Sequence, residues 1–83
     1  MDGKTGLVDE SEDKRKKVSS TIKEVCDALN ERGYNPINQI VGFLISGDPG
    51  YITSYKDARK IMMSIDRSKA LEILVKKALV WDI

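Results

Sequence analysis

From Gly33 to Arg59 the chain reads GYNPINQIVGFLISGDPGYITSYKDAR, a stretch dense in backbone instructions and nearly empty of reaction chemistry. Gly33 is placed to end a preceding helix with a positive backbone angle. Asn35 can cap the next helix, and Pro36 falls at its first position, where a missing N–H costs nothing. Gly47 stops that helix. Asp48-Pro49-Gly50 follows with turn chemistry: an Asx side chain, a fixed proline angle and a permissive glycine. Ser54 with Asp57 fits a capping box for a third helix beginning near Tyr55. Tyr51-Ile52-Thr53 is the only short β-prone run and has no second run to pair with. A chain punctuated this way is predicted to be all-α, with four helices.

Apolar spacing fills in those helices. The first is predicted from about Lys14 to Arg32, with Val18, Ile22, Val25, Cys26 and Leu29 on one face and Glu24 and Asp27 outside it. Cys26 reads as a small core hydrophobe. In the second, Ile37, Ile40, Val41, Leu44 and Ile45 recur at spacings of three and four, and Phe43 adds another apolar direction. That pattern predicts a central helix with protein on more than one side. Gly42 in mid-helix costs roughly 1 kcal/mol relative to alanine, which predicts close approach by another backbone, a candidate helix-crossing point of a dimer. Ala58, Ile61, Met62 and Ile65 give the third helix its face. Asp66 or Ser68 caps a fourth to about Val80, with a stripe of Leu71, Leu74, Val75, Ala78 and Leu79. Glu72 and Lys76 form a favourable four-residue ion pair there. Trp81 and Ile83 are predicted to cover a core edge or a partner surface.

Residues 1–13 read as a flexible acidic tail and residues 14–83 as a single helical domain. Met1 to Asp13 holds two glycines, a cluster of Asp and Glu, and only Leu7-Val8 as an apolar pair, too little to offset its ordering entropy. The basic run Lys14-Arg15-Lys16-Lys17 abuts it.

Size makes the core marginal, since a domain this short buries only about 60% of the surface its unfolded chain exposes. One cysteine excludes a disulfide within the chain, and a chain with no histidine does not build a structural zinc site. Oligomerisation is the remaining route, and a homodimer through apolar helix faces is expected. The net charge of +1 argues against a strongly basic nucleic-acid binder. No apolar run approaches the ~20 residues that span a membrane, so no membrane insertion is expected. MDGKTGLVDESED lacks the basic-then-apolar order of a secretory signal, and the expected location is cytoplasmic.

Catalytic chemistry finds little to work with. Without histidine the commonest base for nucleophilic catalysis is missing. Ser19, Ser20 and Thr21 sit on a helix among lysines, and the carboxylate pairs Asp9/Glu10 and Glu12/Asp13 lie in the tail. The Gly-Asp-Pro-Gly turn lacks the Gly-Lys-Ser/Thr of a P-loop and the carboxylate series of a calcium loop. No enzyme activity, catalytic residue, metal or cofactor is expected. Tyr34, Tyr51 and Tyr55, interleaved with Arg32, Lys56, Arg59 and Lys60, admit two readings. One is a stacking surface for nucleic acid, with the third helix as the reader of a small helix-turn-helix-like DNA-binding module. The favoured one is structural, with the tyrosines at helix junctions and Arg59 and Asp57 bracing the same corner.

The central block, with DALNERGYNP before it and ARKIMMSIDRSKALEILV after it, resembles the IreB family of small cytosolic regulatory phosphoproteins from low-GC Gram-positive bacteria, over roughly Thr21 to Leu79. The resemblance implies an all-helical homodimer with a flexible N-terminal tail. It implies a substrate of membrane-bound serine/threonine kinases with extracellular PASTA domains, a matching phosphatase, an unidentified downstream protein, and a role in cell-envelope stress and β-lactam tolerance. Phosphorylation in the family falls on tail threonines, and Thr5 in KTGLVDESED is the matching position. Here Gly6 follows it directly, Leu7-Val8 stand in place of an aromatic, and there is no second tail threonine. Met62-Met63-Ser64 replaces a more basic family segment, and Lys69-Ala70 an acidic one. A phosphate adds about −1.5 to −2 charge at neutral pH, which on Thr5 joins the tail carboxylates beside Lys14-Arg15-Lys16-Lys17.

Overall fold

The computed structural model describes the backbone of residues 2–81 and the side chains of residues 13–80. The described residues form four α-helices, α1 (Asp2–Glu31), α2 (Pro36–Ser46), α3 (Ala58–Met63) and α4 (Arg67–Trp81), with short 3-10 turns at Pro49–Tyr51 and Tyr55–Asp57 and no strand among them. The predicted all-α architecture is the observed one. Trp81 and Ile83, predicted to cover an edge, lie outside the described side chains.

α1 is the spine, and α2, α3 and α4 all pack against it. It begins at Asp2 rather than near Lys14. From its predicted apolar face Val18, Val25 and Leu29 are buried, as are Ala28 and Thr21, while Ile22 and Cys26 pack at the margin. The helix stops where predicted. The Gly33 N–H donates to the Asn30 carbonyl (3.0 Å) and the Tyr34 N–H to the Leu29 carbonyl (2.9 Å), the paired bonds of a Schellman motif, with Gly33 at φ +82.

α2 starts as its sequence dictates. Asn35 is extended, and its side-chain oxygen accepts the Asn38 N–H at 3.1 Å. It ends at Gly47, φ +77, whose N–H donates to the Phe43 carbonyl at 2.7 Å. A side chain at position 47 would also strike the Arg67 guanidinium, which donates from Nη1 to the Leu44 carbonyl at 3.1 Å. Arg67 thereby caps α2 from the start of α4. The Asp48-Pro49-Gly50 turn forms as expected, Asp48 Oδ1 accepting the Gly50 N–H at 2.8 Å. Gln39 Nε2 donates to the Tyr51 carbonyl at 2.9 Å and pins this turn to α2.

Several expectations change. α2 is not central within the chain: Ile40, Phe43 and Leu44 are buried, but Ile37, Val41 and Ile45 face outward. Phe43 therefore marks the core face, and the other apolar set is the solvent side. Gly42 is not a backbone crossing point. A Cβ there would lie 2.5–2.9 Å from atoms of the Tyr51 ring, so the glycine makes room for a side chain of the same chain. The capping box at Ser54 does not form. Lys56 and Asp57 both take left-handed backbone angles (φ 53 and 60), which breaks the helix and restarts it at Ala58, while Thr53 Oγ1 accepts the Tyr55 N–H at 3.2 Å. Of the two predicted caps of α4, Asp66 serves, its Oδ1 accepting the Lys69 N–H at 3.2 Å.

The buried face of α4 is Ala70 and Ile73, with Leu74 at the margin; Leu71, Val75, Ala78 and Leu79 of the predicted stripe are exposed. Arg67, anchored on α2, sets the rotation of the helix, and the small Ala70 allows it to approach closely. The predicted ion pair forms, Lys76 to Glu72 at 3.0 Å, with Lys69 at 3.3 Å on the other oxygen. Those two lysines hold the Glu72 carboxyl below the usual carboxylate range, Lys76 foremost.

The Gly42–Tyr51 fit makes a prediction. Gly42→Ala displaces the Tyr51 ring in the native chain, which offsets the ~1 kcal/mol that alanine gains over glycine inside a helix. In a Tyr51→Ala background nothing opposes that gain. Chemical denaturation of the four members of the cycle should show Gly42→Ala stabilising only when Tyr51 is absent. Equal effects in both backgrounds would dissociate the two residues.

Candidate functional site

The polar corner between α1 and α3 is closed on itself. Tyr55 OH donates to Glu31 Oε1 at 2.8 Å, and Lys56 Nζ lies 3.2 Å from Glu31 Oε2 and 3.1 Å from Oε1. Arg32 and Lys56 approach the Tyr55 ring at 5.2 and 5.4 Å from its centroid. Arg59 Nε donates to the carbonyls of Pro49 (3.1 Å) and Ile52 (2.9 Å), tying the turn after α2 to α3. This is the bracing expected of Arg59; Asp57 contributes its unusual backbone angle and no side-chain cap.

For the nucleic-acid reading, two of its three reader cations, Lys56 and Arg59, are engaged within the chain. α3 is six residues long, which leaves little helix to lay in a groove. Nothing in this corner favours a DNA reader.

The hydrogen bond from Tyr55, and next the one from Lys56, hold the Glu31 carboxyl below its ordinary value. A carboxylate lowered in the folded state stabilises the fold above its unfolded value, and that stability is lost as pH falls through the folded value. Glu31→Gln removes the titrating group. The stability gap between the native chain and Glu31→Gln should therefore be fully open above the ordinary carboxylate value and close as pH falls through the lowered folded-state value. Thermal melts across that range test it, and a gap that widens toward acid would contradict the sign.

The solvent-facing apolar residues of α2 form a ridge one turn apart: Ile37 is 73% exposed, Val41 46% and Ile45 75%. Leu71, Val75 and Leu79 form a second ridge on α4, with Val75 at 56% and Leu79 at 65%. Apolar side chains repeating on one helix face and left in water mark an interaction surface. The α2 residues belong to the apolar set that predicts protein on more than one side of that helix, and the α4 residues to its predicted stripe. On α2, periodicity alone does not separate the exposed set from the buried one, because Ile37, Val41 and Ile45 lie only about a quarter-turn around the helix from Ile40, Phe43 and Leu44.

Thr5, the predicted phosphoacceptor, lies in α1 among the residues whose side chains are outside those described. Among the described residues no cluster of His, Cys, Asp and Glu forms a metal-binding group, and no helix is long and apolar enough to cross a membrane.

An all-α fold with its polar corner closed and two apolar ridges open defines a small helical interaction module. Comparison with known families makes this specific. The chain belongs to the IreB regulatory phosphoprotein family, whose model matches residues 3–80, and the match spans Thr5. A regulatory role follows from that membership.

Proposed function

We propose that this chain is a non-enzymatic regulatory phosphoprotein that works as a cytoplasmic homodimer. Thr5 is the phosphoacceptor of a PASTA-type serine/threonine kinase, a matching phosphatase reverses the modification, and the pair controls a downstream protein in cell-envelope stress signalling. The family match across residues 3–80, Thr5 included, carries the reading. The α2 ridge supports the dimer: a domain this small gains about 1.5–3 kcal/mol for each large apolar side chain it moves out of water. Thr5 is the only threonine before the basic run, and terminal helical turns open at low cost to admit a kinase.

Incubation with a PASTA-type kinase followed by peptide mass mapping tests the modification. Phosphate is expected on Thr5. Thr21 is buried, and the Ser19 hydroxyl accepts from Lys77 Nζ at 2.6 Å, so neither presents a free acceptor. Phosphate only on Ser19, Ser20 or Thr21, or on no residue, would overturn the assignment. Thr5→Ala should leave the melting temperature unchanged; a large drop would make Thr5 a structural residue instead.

A further inference from the structure

An open cleft of about 650 Å³ separates α1 from α4. Arg15, Lys16 and Lys23 line it from one side and Lys76 and Lys77 from the other, with Ile73 between them, and among the described residues no carboxylate lines it. Lys77 reaches across to Ser19 and ties the two walls together at 2.6 Å. Lys76 shares Glu72; among the described residues no carboxylate pairs with Arg15, Lys16, Lys23 or Lys77. The whole chain carries a net charge of only +1, so five cations in one cleft are a local excess. The compensating charge lies in the N-terminal segment, at Asp9, Glu10, Glu12 and Asp13.

We propose that this cleft receives the phosphorylated N-terminal segment of a second copy of the chain, with the phosphate of Thr5 held by the cations of α1 and α4. This rests on the reading of Thr5 as a phosphoacceptor. Phosphate is the ligand chemistry the cleft fits: Arg presents a planar fork to its oxygens, and lysines add point charges. Carboxylates following the phosphothreonine extend the same complementarity along α1. A second copy is the occupant that leaves α1 whole. α1 is continuous from Asp2 to Glu31, and a continuous helix holds Thr5 about 15 Å along its axis from Arg15. Docking into its own cleft would break that helix, whereas docking into a partner's leaves it whole. Phosphorylation then links the two subunits, adding about −1.5 to −2 charge where the cations converge.

The test uses the full-length unphosphorylated chain and a synthetic peptide of residues 1–13 carrying phosphate on Thr5. Calorimetry gives the affinity, and amide shift mapping gives the site. The phosphopeptide should bind more tightly than the unmodified peptide and more tightly than inorganic phosphate, with shifts along Arg15–Lys23 and Ile73–Val80. Losing two charge-assisted contacts in Lys23→Ala/Lys77→Ala should weaken it by about tenfold or more. Lys14→Ala/Lys17→Ala removes the same charge from the separate groove lined by Lys14, Lys17 and Lys69, and should leave binding unchanged. All four lysines lie at the surface or its margin, and circular dichroism confirms that each variant folds. Equal binding of both peptides, equal binding of inorganic phosphate, equal loss in the two double variants, or shifts elsewhere would each overturn the proposal. Because the phosphate is supplied synthetically, a failure of the kinase experiment leaves this site standing, and a failure here leaves the phosphoacceptor standing.

Discussion

Val41→Glu is expected to yield a folded monomer under conditions where the native chain sediments as a dimer. Val41 sits at the centre of the α2 ridge, one turn from Ile37 and one turn from Ile45. In the monomer a glutamate there is solvated, and glutamate is a better helix former than valine, so the fold keeps its stability. In a dimer closed over the ridge the same carboxylate is buried without a partner, at several kcal/mol. At about 1.4 kcal/mol for each tenfold, the dissociation constant rises by roughly a hundredfold or more. Sedimentation equilibrium over a concentration series measures it. Native-like dimerisation of Val41→Glu would move the interface off α2, and Val75→Glu on the α4 ridge would then be the variant expected to dissociate. A native chain that is monomeric at micromolar concentration would remove the dimer altogether.

The same ridge shows where sequence reading succeeds and where it stops. Helix boundaries from Gly33 to Gly50 were legible because each is set locally. Asn35 caps α2, Pro36 opens it and Gly47 closes it through bonds spanning no more than five residues. The buried face of α1 was legible because one face of that helix meets all the others. The facing of α2 and α4 was not, because both carry apolar residues on two sides, and periodicity alone does not say which side meets α1. Long-range contacts decide it. Arg67 reaches the Leu44 carbonyl, 23 residues away in sequence, and fixes the rotation of α4 so that Ala70 and Ile73 turn inward. Tyr51 fills the space above Gly42, which no local pattern announces. The corner at Lys56 and Asp57 failed for a related reason: Ser54 and Asp57 have the spacing of a capping box, but tethering by Arg59 and Glu31 accompanies a left-handed backbone instead. For the candidate site, the residues of both ridges and of the basic cleft were visible as types. Their assembly into surfaces depends on how α1 and α4 diverge, which is a tertiary property.

Leu29→Ala is expected to remove a large share of the stability of the fold. Leu29 is fully buried on the spine helix, in its last turn, and its carbonyl accepts the Tyr34 N–H that closes the Schellman motif. Truncation there loses the transfer energy of the side chain and leaves a cavity that the surrounding core only partly relaxes to fill, about 2–5 kcal/mol. Domains of this size sit toward the low end of the usual 5–15 kcal/mol, so the loss is a substantial fraction of the total. At about 4–8 °C per kcal/mol, the melting temperature should fall by roughly 8–40 °C. Met62→Leu, at an equally buried position, conserves volume and should cost less than about 1.5 kcal/mol. Association adds a second signature. A dimer that binds only folded chains raises apparent stability with protein concentration. The melting temperature of Leu29→Ala should therefore recover partly at higher concentration, and that recovery should vanish when Val41→Glu is added. A drop no larger than that of the exposed control Val75→Ala would mean that Leu29 is not a keystone of the core. A concentration dependence that survives Val41→Glu would mean that folding is coupled to an interface other than the α2 ridge.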